Sequence, residues 1–340
     1  MSIKICSYNI EWFDHFFDKD NQIKPFDSRS KKDKEMKERL ECLITAFQHL
    51  NADLYGITEA PNTTTTTGHQ SAVDKFRSFM DYAGISGYDF AFGYPSPGRQ
   101  EIIAVYKTEK LEVSHDPGGS NGSKSNPKFD GEFFFDTDED RIKEVYKMYR
   151  PPLEVEVKVK DTADQFNLIV VHAKSKGIFS SSDLLRLDRE NQRNRRKLFA
   201  ECQWVRNRVD EWLSGGKKVI VMGDLNDGPG MDYYEFQFGK SAVEIIMGDI
   251  FDPDKVLRSY MGRPKWGNFG WSPSTTRFYD KITGDPINAI IDHILMSKDV
   301  AYVADSYKVL NPYEQKGLPD DFKNALKKAS DHFPVVAEIF

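Results

Sequence analysis

Residues capable of acid–base chemistry and of binding a cation stand next to apolar segments in several parts of the chain. The sequence Ser330-Asp331-His332-Phe333-Pro334 sets an acid beside an imidazole, directly before an apolar run at 335–339. Chain ends usually fray, so this pair predicts a segment that docks into the core and contributes to a functional site. The segment 3–12 begins as a strand and ends in polar residues, which places both segments at the edge of one site.

A second pair follows the apolar strand predicted at 217–222. Side chains alternate along a strand, so Asp224 and Asn226 fall on one side and Leu225 on the other. This arrangement pairs a carboxylate with an amide. Asp, Asn and Gly also dominate turns, and taken alone the pair is better explained as a turn.

Further acids and imidazoles end or interrupt apolar strands. Glu59 ends a predicted strand at 53–58, His172 ends one at 166–171, and Asp292 interrupts an otherwise apolar strand, where a buried carboxylate is costly unless paired or metal-bound. Hard oxygen ligands with two imidazoles and no cysteine cluster suit Mg²⁺ or Mn²⁺ better than structural zinc. The candidate set is Asn9, Glu59, His172, Asp224, Asn226, Asp292, Asp331 and His332.

Composition limits the class of protein. A length of 340 residues allows about two domains, although large folds that contain sheets can run this long as one unit. No apolar run approaches the roughly 18 residues that span a bilayer, and the chain enters a strand at once without a signal-peptide pattern. We therefore expect a cytoplasmic protein without membrane association. The three cysteines (Cys6, Cys42 and Cys202) lack metal-ligand spacing and are interpreted as reduced thiols.

Strand-like and helix-like periods alternate along the chain without a convincing linker. Many strands, some of them alternating, with few helices favour two packed sheets flanked by helices over one doubly wound sheet. The segment 117–130, rich in Gly, Ser and Asn, predicts a long surface excursion. Helical spacing predicts helices at 31–50, 71–83, 183–213 and 319–328, and strands are predicted at 3–9, 53–58, 88–94, 101–107, 111–115, 152–160, 166–171, 217–222, 289–296, 304–310 and 334–340.

Short blocks in a fixed order carry a family resemblance. They resemble those of the endonuclease/exonuclease/phosphatase superfamily, which has the deoxyribonuclease I-like fold, and they cover nearly the whole chain. Each block is weak alone, but the ordered set is strong. The blocks are Tyr8-Asn9-Ile10-Glu11-Trp12, Thr58-Glu59-Ala60-Pro61-Asn62, Val171-His172-Ala173-Lys174-Ser175, Gly223-Asp224-Leu225-Asn226-Asp227, Ile291-Asp292-His293-Ile294-Leu295 and Ser330-Asp331-His332-Phe333-Pro334.

The resemblance implies a four-layer α/β sandwich of two mixed sheets flanked by helices, a divalent metal, and cleavage of phosphodiesters or phosphomonoesters. It also implies a single catalytic domain over residues 1–340. It assigns Glu59 to the metal, helped by Asn9 and Asp331. Asp224 and Asn226 would orient the attacking water and hold a phosphate oxygen.

The resemblance also assigns the imidazoles. His332 would be the active-site imidazole, oriented by Asp292, and His172 would contact the phosphate or serve as an acid. Whether His332 takes a proton from water or stabilises charge on phosphorus stays open, although Asp292 would raise its pKa. Glu101 stands where related enzymes carry a glutamate that pairs with the residue matching His172. Arg150 resembles an arginine that could grip a phosphate.

Several candidates have an equally good structural explanation. Asn62 could line the pocket beside Glu59 or stabilise a turn, His172 could be a core histidine, and Asp331 with His332 could connect a helix to a strand. His293 is expected on the face opposite Asp292 and is interpreted as structural. Lys174 precedes a basic helix that could follow a phosphate backbone or form a solvated face, where Arg186, Arg189, Arg193, Arg195, Arg196 and Lys197 concentrate.

Function divides into three hypotheses. The leading one is a metal-dependent phosphodiesterase acting on nucleic acid, with DNA favoured over RNA and an endonuclease favoured over an exonuclease. The enzyme alternative is a phosphatase or phosphodiesterase of a lipid or small molecule, and the other is a catalytically silent binding module of the same fold. A net charge of −6 argues against a general nucleic-acid coat, and no obligate protein partner is evident. Trp266, Phe269 and Trp271 have two equally supported explanations, which are stacking on nucleic-acid bases and packing in the core or anchoring of their loop.

Overall fold

The computed structural model describes residues 2–63, 71–97, 99–162, 164–176, 184–228, 239–261, 273–279 and 284–340, with backbone alone at 184–187. The strands are β1 (Ile3–Asn9), β2 (Leu54–Ala60), β3 (Tyr88–Phe92), β4 (Glu101–Lys107), β5 (Leu111–His115), β6 (Phe133–Phe135), β7 (Glu144–Tyr146), β8 (Leu153–Val159), β9 (Gln165–His172), β10 (Val219–Asp224), β11 (Arg258–Ser259), β12 (Thr276–Tyr279), β13 (Pro286–Ala289), β14 (Asp292–Met296), β15 (Lys308–Val309) and β16 (Val335–Ile339). The helices are α1 (Lys31–Leu50), α2 (Ser71–Tyr82), α3 (Leu184–Ser214), α4 (Ala242–Met247) and α5 (Asp320–Ala329), with a 3₁₀ helix at Phe13–Phe16.

Two mixed sheets of six strands form the centre of the molecule. Sheet one has the order β15-β16-β1-β2-β4-β3, and sheet two has the order β11-β14-β10-β9-β8-β5. β1 runs parallel to β2 and antiparallel to β16, whereas β10 runs parallel to β9 and antiparallel to β14. Two short hairpins, β6–β7 and β12–β13, lie outside these sheets.

The layers follow from three separate apolar clusters. The first fills the space between the sheets, with Ile5 and Leu54 from sheet one and Val170 and Ile220 from sheet two. The second lies between the outer face of sheet one and helices α1, α2 and α5. The third lies between sheet two and helices α3 and α4. Because both sheets are buried on both faces, the prediction of a four-layer sandwich is confirmed.

Element boundaries agree closely with the periodicity of the sequence. Helix α1 and strands β4 and β5 occupy the predicted residues, and α1 begins where the Ser30 hydroxyl accepts a hydrogen bond from the Asp33 backbone N–H. The strand predicted at 304–310 is reduced to β15, because only Lys308 and Val309 pair with β16. None of the described helices has the length and apolar character that a bilayer crossing requires.

The segment 117–130 is more than a surface excursion. Its Phe129 is fully buried and packs against Trp204 of α3, and the indole of Trp204 donates a hydrogen bond to the Pro127 carbonyl. Arg208 of α3 pairs with buried Glu154 of β8 beneath Gly118. The predicted surface excursion is therefore anchored to α3 by its buried residues Pro127 and Phe129.

Gly223 allows the end of β10 to lie close to β9. Its φ is +138°, and a Cβ built on it would lie 1.9 Å from the Val171 carbonyl oxygen. No side chain can be accommodated at that distance, because the obstruction is backbone in the neighbouring strand. The glycine is therefore required for the pairing that carries Asp224, the next residue.

The change Gly223→Ala should lower the free energy of unfolding by several kcal/mol, because it adds a backbone clash to an unfavourable φ. Equilibrium urea denaturation measures this loss. Gly216→Ala is the matched control, since Gly216 has a φ of +72° but no atom within 4 Å of a built Cβ. Its expected cost is about 1 kcal/mol from the backbone alone. Equal losses in the two variants would contradict the clash.

Candidate active site

Three site residues lie side by side across sheet two. The parallel register of β9 and β10 pairs His172 with Asp224, and the antiparallel register of β10 and β14 pairs Asp224 with Asp292. Paired residues of adjacent strands project from the same face of a sheet. All three side chains are buried. The sheet therefore forms a row of an imidazole and two carboxylates at one of its ends.

Sheet one contributes Asn9 and Glu59 to the same place. Asn9 ends β1 opposite Thr58 of β2, and the pairing of β2 with β4 becomes irregular between Ile57 and Ala60. Glu59 lies in this irregularity with a φ of +57°, an uncommon conformation for a residue with a side chain. Its Oε2 accepts a hydrogen bond of 2.8 Å from the Trp12 backbone N–H.

The amide of Asn9 joins the two sheets. Its Nδ2 donates to Glu59 Oε1 at 3.3 Å and to Asp224 Oδ2 at 3.1 Å, which uses both amide hydrogens. His332 Nε2 lies 3.4 Å from the same nitrogen. The Ser330 hydroxyl donates to the Asn9 carbonyl at 2.8 Å and accepts from the His332 backbone N–H at 3.1 Å. The segment before β16 is thereby held against the end of β1.

His332 and Asp292 form a hydrogen-bonded dyad. Nδ1 of His332 lies 2.8 Å from Asp292 Oδ2, while Nε2 lies 3.9 Å from Asp224 Oδ2 and 3.8 Å from Asp331 Oδ1. Burial disfavours the charged imidazole, but Asp292, Asp224 and Asp331 outweigh it and raise the pKa of His332 well above its usual value. These three carboxylates therefore favour the protonated form of His332.

His172 has the opposite electrostatics. Its Nε2 lies 3.5 Å from Asp224 Oδ2 and 4.0 Å from Glu59 Oε1, and its buried Nδ1 has no hydrogen-bond partner. Burial, together with the charges of Arg150 and His332, lowers the pKa of His172 well below its usual value. The pKa values of the two imidazoles are therefore shifted in opposite directions within one cluster.

Asp224 is the carboxylate at the centre of the row. Burial and the charge of Asp292 raise its pKa to about 7, against the opposing effect of His332. Asn226 follows with a φ of +51°, its backbone N–H donates to Asp224 Oδ1 at 2.8 Å, and its side chain donates to the Ala173 carbonyl at 3.0 Å. The structural and the functional explanation of Asp224 and Asn226 therefore both hold in part. Asn226 adopts a turn conformation, and its backbone N–H orients the Asp224 carboxylate.

The acidic groups fit a hard divalent cation. Burial and the charges of Glu11 and Glu59 raise the pKa of Asp331 to about 6, against the effect of His332, which reflects an excess of negative charge. Asp224, Asp292 and His332 offer ligand atoms within 4.8 Å of one another. In that trio His332 Nδ1 lies 2.8 Å from Asp292 Oδ2. The assignment of the metal to Glu59, Asn9 and Asp331 stays a prediction.

Glu101 has partners different from the one expected. Its Oε1 accepts from the Thr63 backbone N–H at 3.2 Å and from the Thr63 hydroxyl, and its Oε2 accepts from the Ser96 backbone N–H at 2.7 Å. Nδ1 of His172 is unpartnered and Nε2 faces Asp224. The predicted pairing of Glu101 with His172 is therefore wrong. The Glu101 carboxylate instead fixes the loops that contain Thr63 and Ser96. The alternation of residues along one strand does not predict where these loops lie.

Arg150 supports the turn after His172. Its Nε donates to the His172 carbonyl at 3.2 Å, its Nη2 donates to the Ala173 carbonyl at 2.8 Å, and its Nη1 donates to the Gln100 side chain. The guanidinium expected to grip a phosphate is thus bonded largely to the protein itself. The backbone carbonyls of His172 and Ala173, at the end of β9, are buried acceptors that need a hydrogen-bond donor. Arg150 supplies it, which explains why its guanidinium is not free for a phosphate.

Asn62 and Lys174 border the cluster without a direct contact to its central residues. The Asn62 backbone N–H donates to Asp14 Oδ1 at 2.9 Å, while its buried Oδ1 has no hydrogen-bond partner. The Lys174 backbone N–H donates to Glu201 Oε2 at 2.7 Å, and its ammonium donates to the Ser175 carbonyl at 2.8 Å. The Asn62 backbone is therefore fixed by Asp14, while its side-chain oxygen has no partner among the described residues, so neither explanation of Asn62 is decided.

The basic helix is partly structural. Arg195 of α3 is buried and bonds Asp227 at 3.2 Å, and Arg196 pairs with Asp138 at 2.7 Å.

His293 is buried with Nε2 3.1 Å from the Asp227 carbonyl, as its structural interpretation predicts. Trp266, Phe269 and Trp271 lie outside the described residues.

Several supporting residues are missed by sequence reasoning. Arg39 of α1 donates to the carbonyls of Ile10, at 2.8 Å, and Glu11. The hydroxyl of Thr275 accepts from the backbone N–H groups of Ile291, at 2.9 Å, and Asp292, at 3.1 Å. No sequence motif identifies Arg39 or Thr275, because each one bonds backbone groups of a segment that is distant in the sequence. Ser330, which also supports the site, differs from Arg39 and Thr275 because it lies within one of the ordered blocks.

Comparison with known proteins gives a match in structure but not in sequence. No family model matches the chain, and no curated protein matches it. A Bacteroides thetaiotaomicron mannosyl-6-phosphatase is similar at 15% identity with a TM-score of 0.53, covering 99% of each chain. A Bacteroides vulgatus endonuclease/exonuclease/phosphatase is similar at 14% identity with a TM-score of 0.53, covering 100% of this chain and 99% of that one.

The human Nocturnin catalytic domain, in a structure with a bound sulfate anion, is similar at 14% identity with a TM-score of 0.50, covering 100% of this chain and 94% of that one. At such identities the likeness concerns the fold, and it extends over both sheets and their flanking helices. The likeness shows that this chain shares the fold of these structures, among them an endonuclease/exonuclease/phosphatase.

Proposed function

We propose that the protein is a divalent-metal-dependent phosphodiesterase that hydrolyses nucleic acid as an endonuclease, with DNA favoured over RNA. One observation carries the proposal: Glu59, Asp224 and His332 converge within 3.4 Å of the Asn9 amide nitrogen at the meeting point of two sheets. Carboxylates, a protonated imidazole and a neutral imidazole in one buried cluster suit phosphoryl transfer, where positioning and charge neutralisation supply most of the rate.

The structural comparisons support a phosphoester substrate. The Bacteroides vulgatus protein is named an endonuclease/exonuclease/phosphatase, and the Bacteroides thetaiotaomicron protein is named a mannosyl-6-phosphatase. The second name keeps a phosphomonoester of a small molecule as the alternative substrate. We further propose that residues 1–340 act as one catalytic domain, since β1 and β16 both contribute to the site.

Glu59, Asn9 and Asp331 would hold Mg²⁺ or Mn²⁺. When bound, the cation would neutralise charge on the phosphate oxygens and on the departing oxygen. Burial and the charges of Glu11 and Glu59 raise the pKa of Asp331, and the Asn9 amide bonds the Glu59 carboxylate, which supports this assignment. Asn9 would help to fix the Glu59 carboxylate through its amide.

The remaining residues supply the proton chemistry. Asp224, with a pKa of about 7, would accept a proton from the attacking water as its oxygen bonds to phosphorus. His332, protonated through Asp292, would stabilise the negative charge that develops on the phosphorane oxygens. Neutral His172 would donate a hydrogen bond to a phosphate oxygen. Asn226 and Arg150 would hold the two turns that carry Asp224 and His172.

A substrate panel tests the proposal. Supercoiled plasmid, single-stranded DNA, RNA, a phosphoinositide, a sugar phosphate and bis-p-nitrophenyl phosphate would each be incubated with Mg²⁺ and with Mn²⁺. The expected result is internal cleavage of the plasmid at a rate well above that of the other phosphate classes. Hydrolysis confined to the phosphoinositide or to a sugar phosphate would favour the small-molecule alternative.

The variants Asp224→Ala and His332→Ala should each lower kcat on DNA by about 10²–10⁴-fold, because each removes a proton acceptor or a stabilising charge from the reacting centre. Initial rates of plasmid cleavage measure the loss. His49→Ala is the matched control, since His49 pairs with Asp321 on the helical surface. Near-normal rates in both site variants, with an unchanged melting temperature, would show that the site is misplaced.

Removing divalent cations with excess EDTA should abolish cleavage, and adding Mg²⁺ should restore it. The variant Glu59→Gln should raise the Mg²⁺ concentration needed for half-maximal rate, because it removes one anionic ligand. Titration of activity against Mg²⁺ measures the change. The exposed Glu38→Gln serves as the control. Full activity in EDTA would exclude the metal-dependent mechanism.

The variant Asp292→Asn should move both limbs of the pH–rate profile to lower pH. The Asp292 charge raises the pKa of Asp224 and that of His332, so its loss lowers both. The acidic limb, where Asp224 becomes ionised, then moves to lower pH. The alkaline limb, where His332 loses its proton, also moves to lower pH. Profiles of kcat/KM measure the shift, which should reach about one pH unit on the alkaline side. Unchanged limbs would contradict the dyad.

A further inference from the structure

A strained turn adjoins the candidate metal ligands. Glu11 and Trp12 have φ values of +48° and +44°, so two consecutive residues with large side chains are in the left-handed region. This conformation is uncommon for such residues and persists only where the surroundings enforce it. Trp12 ends the turn as the N-cap of the 3₁₀ helix Phe13–Phe16.

Residues of the candidate site hold this turn. The Glu11 backbone N–H donates to Asn9 Oδ1 at 3.0 Å, and the Trp12 backbone N–H donates to Glu59 Oε2 at 2.8 Å. Arg39 binds the carbonyls of Ile10 and Glu11 from the opposite side. The side chains that define the site therefore also fix the direction of Trp12.

The turn carries an exposed aromatic ring on the residue whose backbone N–H bonds Glu59. Trp12 is 46% exposed, although its neighbours Phe13 and Phe16 are fully buried and anchor the short helix. The indole lies parallel to the His15 ring, with centroids 5.9 Å apart and an interplanar angle of 8°. A single exposed aromatic residue is ordinary on a protein surface. This one belongs to a residue in a strained conformation whose backbone N–H bonds the predicted metal ligand Glu59.

We propose that Trp12 contacts the substrate by stacking on an unpaired nucleobase next to the scissile phosphate. The inference rests on the proposed function and names the substrate feature that the same site recognises. A base lies one sugar away from its phosphate, so a phosphate held at Glu59 brings a base close to Trp12, whose ring is exposed. Every base has a π-face, so stacking of this kind favours exposed bases without selecting a sequence.

Two single-stranded oligonucleotides of equal length test the contact. One carries normal bases, and the other carries abasic tetrahydrofuran residues on the same phosphodiester backbone. Trp12→Asn removes the ring and keeps a residue that tolerates the left-handed conformation. The variant should lose about tenfold or more in kcat/KM on the base-bearing strand and less than twofold on the abasic strand. Trp12→Phe should recover most of the loss.

The control is Tyr82→Ala, which removes a ring that is 54% exposed at the end of α2. It should leave kcat/KM unchanged on both strands. An equal loss on both strands in Trp12→Asn, or no loss on either, would overturn the stacking contact while cleavage by the wild-type protein still supports the nuclease. If the wild-type protein cleaves neither strand and hydrolyses sugar phosphates instead, the proposed function itself is wrong.

Discussion

The hydrogen bonds of one amide hold the site together. Glu59 and Asp224 come from different sheets, and two carboxylates at this depth would repel each other if nothing lay between them. The Asn9 amide lies between them and gives one hydrogen to each. A neutral donor with two hydrogens satisfies both anions without adding a charge that would compete with a cation. This single side chain therefore links residues from the ends of the two sheets.

The strand register completes the arrangement. The pairing of β9, β10 and β14 fixes His172, Asp224 and Asp292 at adjacent positions, and Gly223 permits the close approach of β9 and β10. The field of this row then sets the protonation of each imidazole. His332 bonds a carboxylate directly and its pKa is raised, whereas burial and the charge of Arg150 lower the pKa of His172. One cluster thus shifts the pKa values of its two imidazoles in opposite directions.

Much of this arrangement is predictable from the sequence. Periodicity locates α1, β4 and β5, and the ordered blocks identify the residues that converge. The partners of Glu101 and Arg150 are not predictable, because they depend on where loops such as 61–63 and 96–100 come to lie. A strand pattern reports which way a side chain points, but not which distant carbonyl needs a donor. Arg39 and Thr275 are missed for the same reason, since they satisfy backbone groups of other segments.

The pairing of β1 with β16 has a consequence for biosynthesis. Residues 3–9 form an inner strand of sheet one, yet their antiparallel neighbour is residues 335–339. A ribosome therefore releases β1 long before the strand that covers its edge has been made. Until then the exposed edge is open to unwanted association, and His332 is not yet available to the cluster. The emerging polypeptide thus lacks this pairing and the complete cluster until residues 332–339 have been translated.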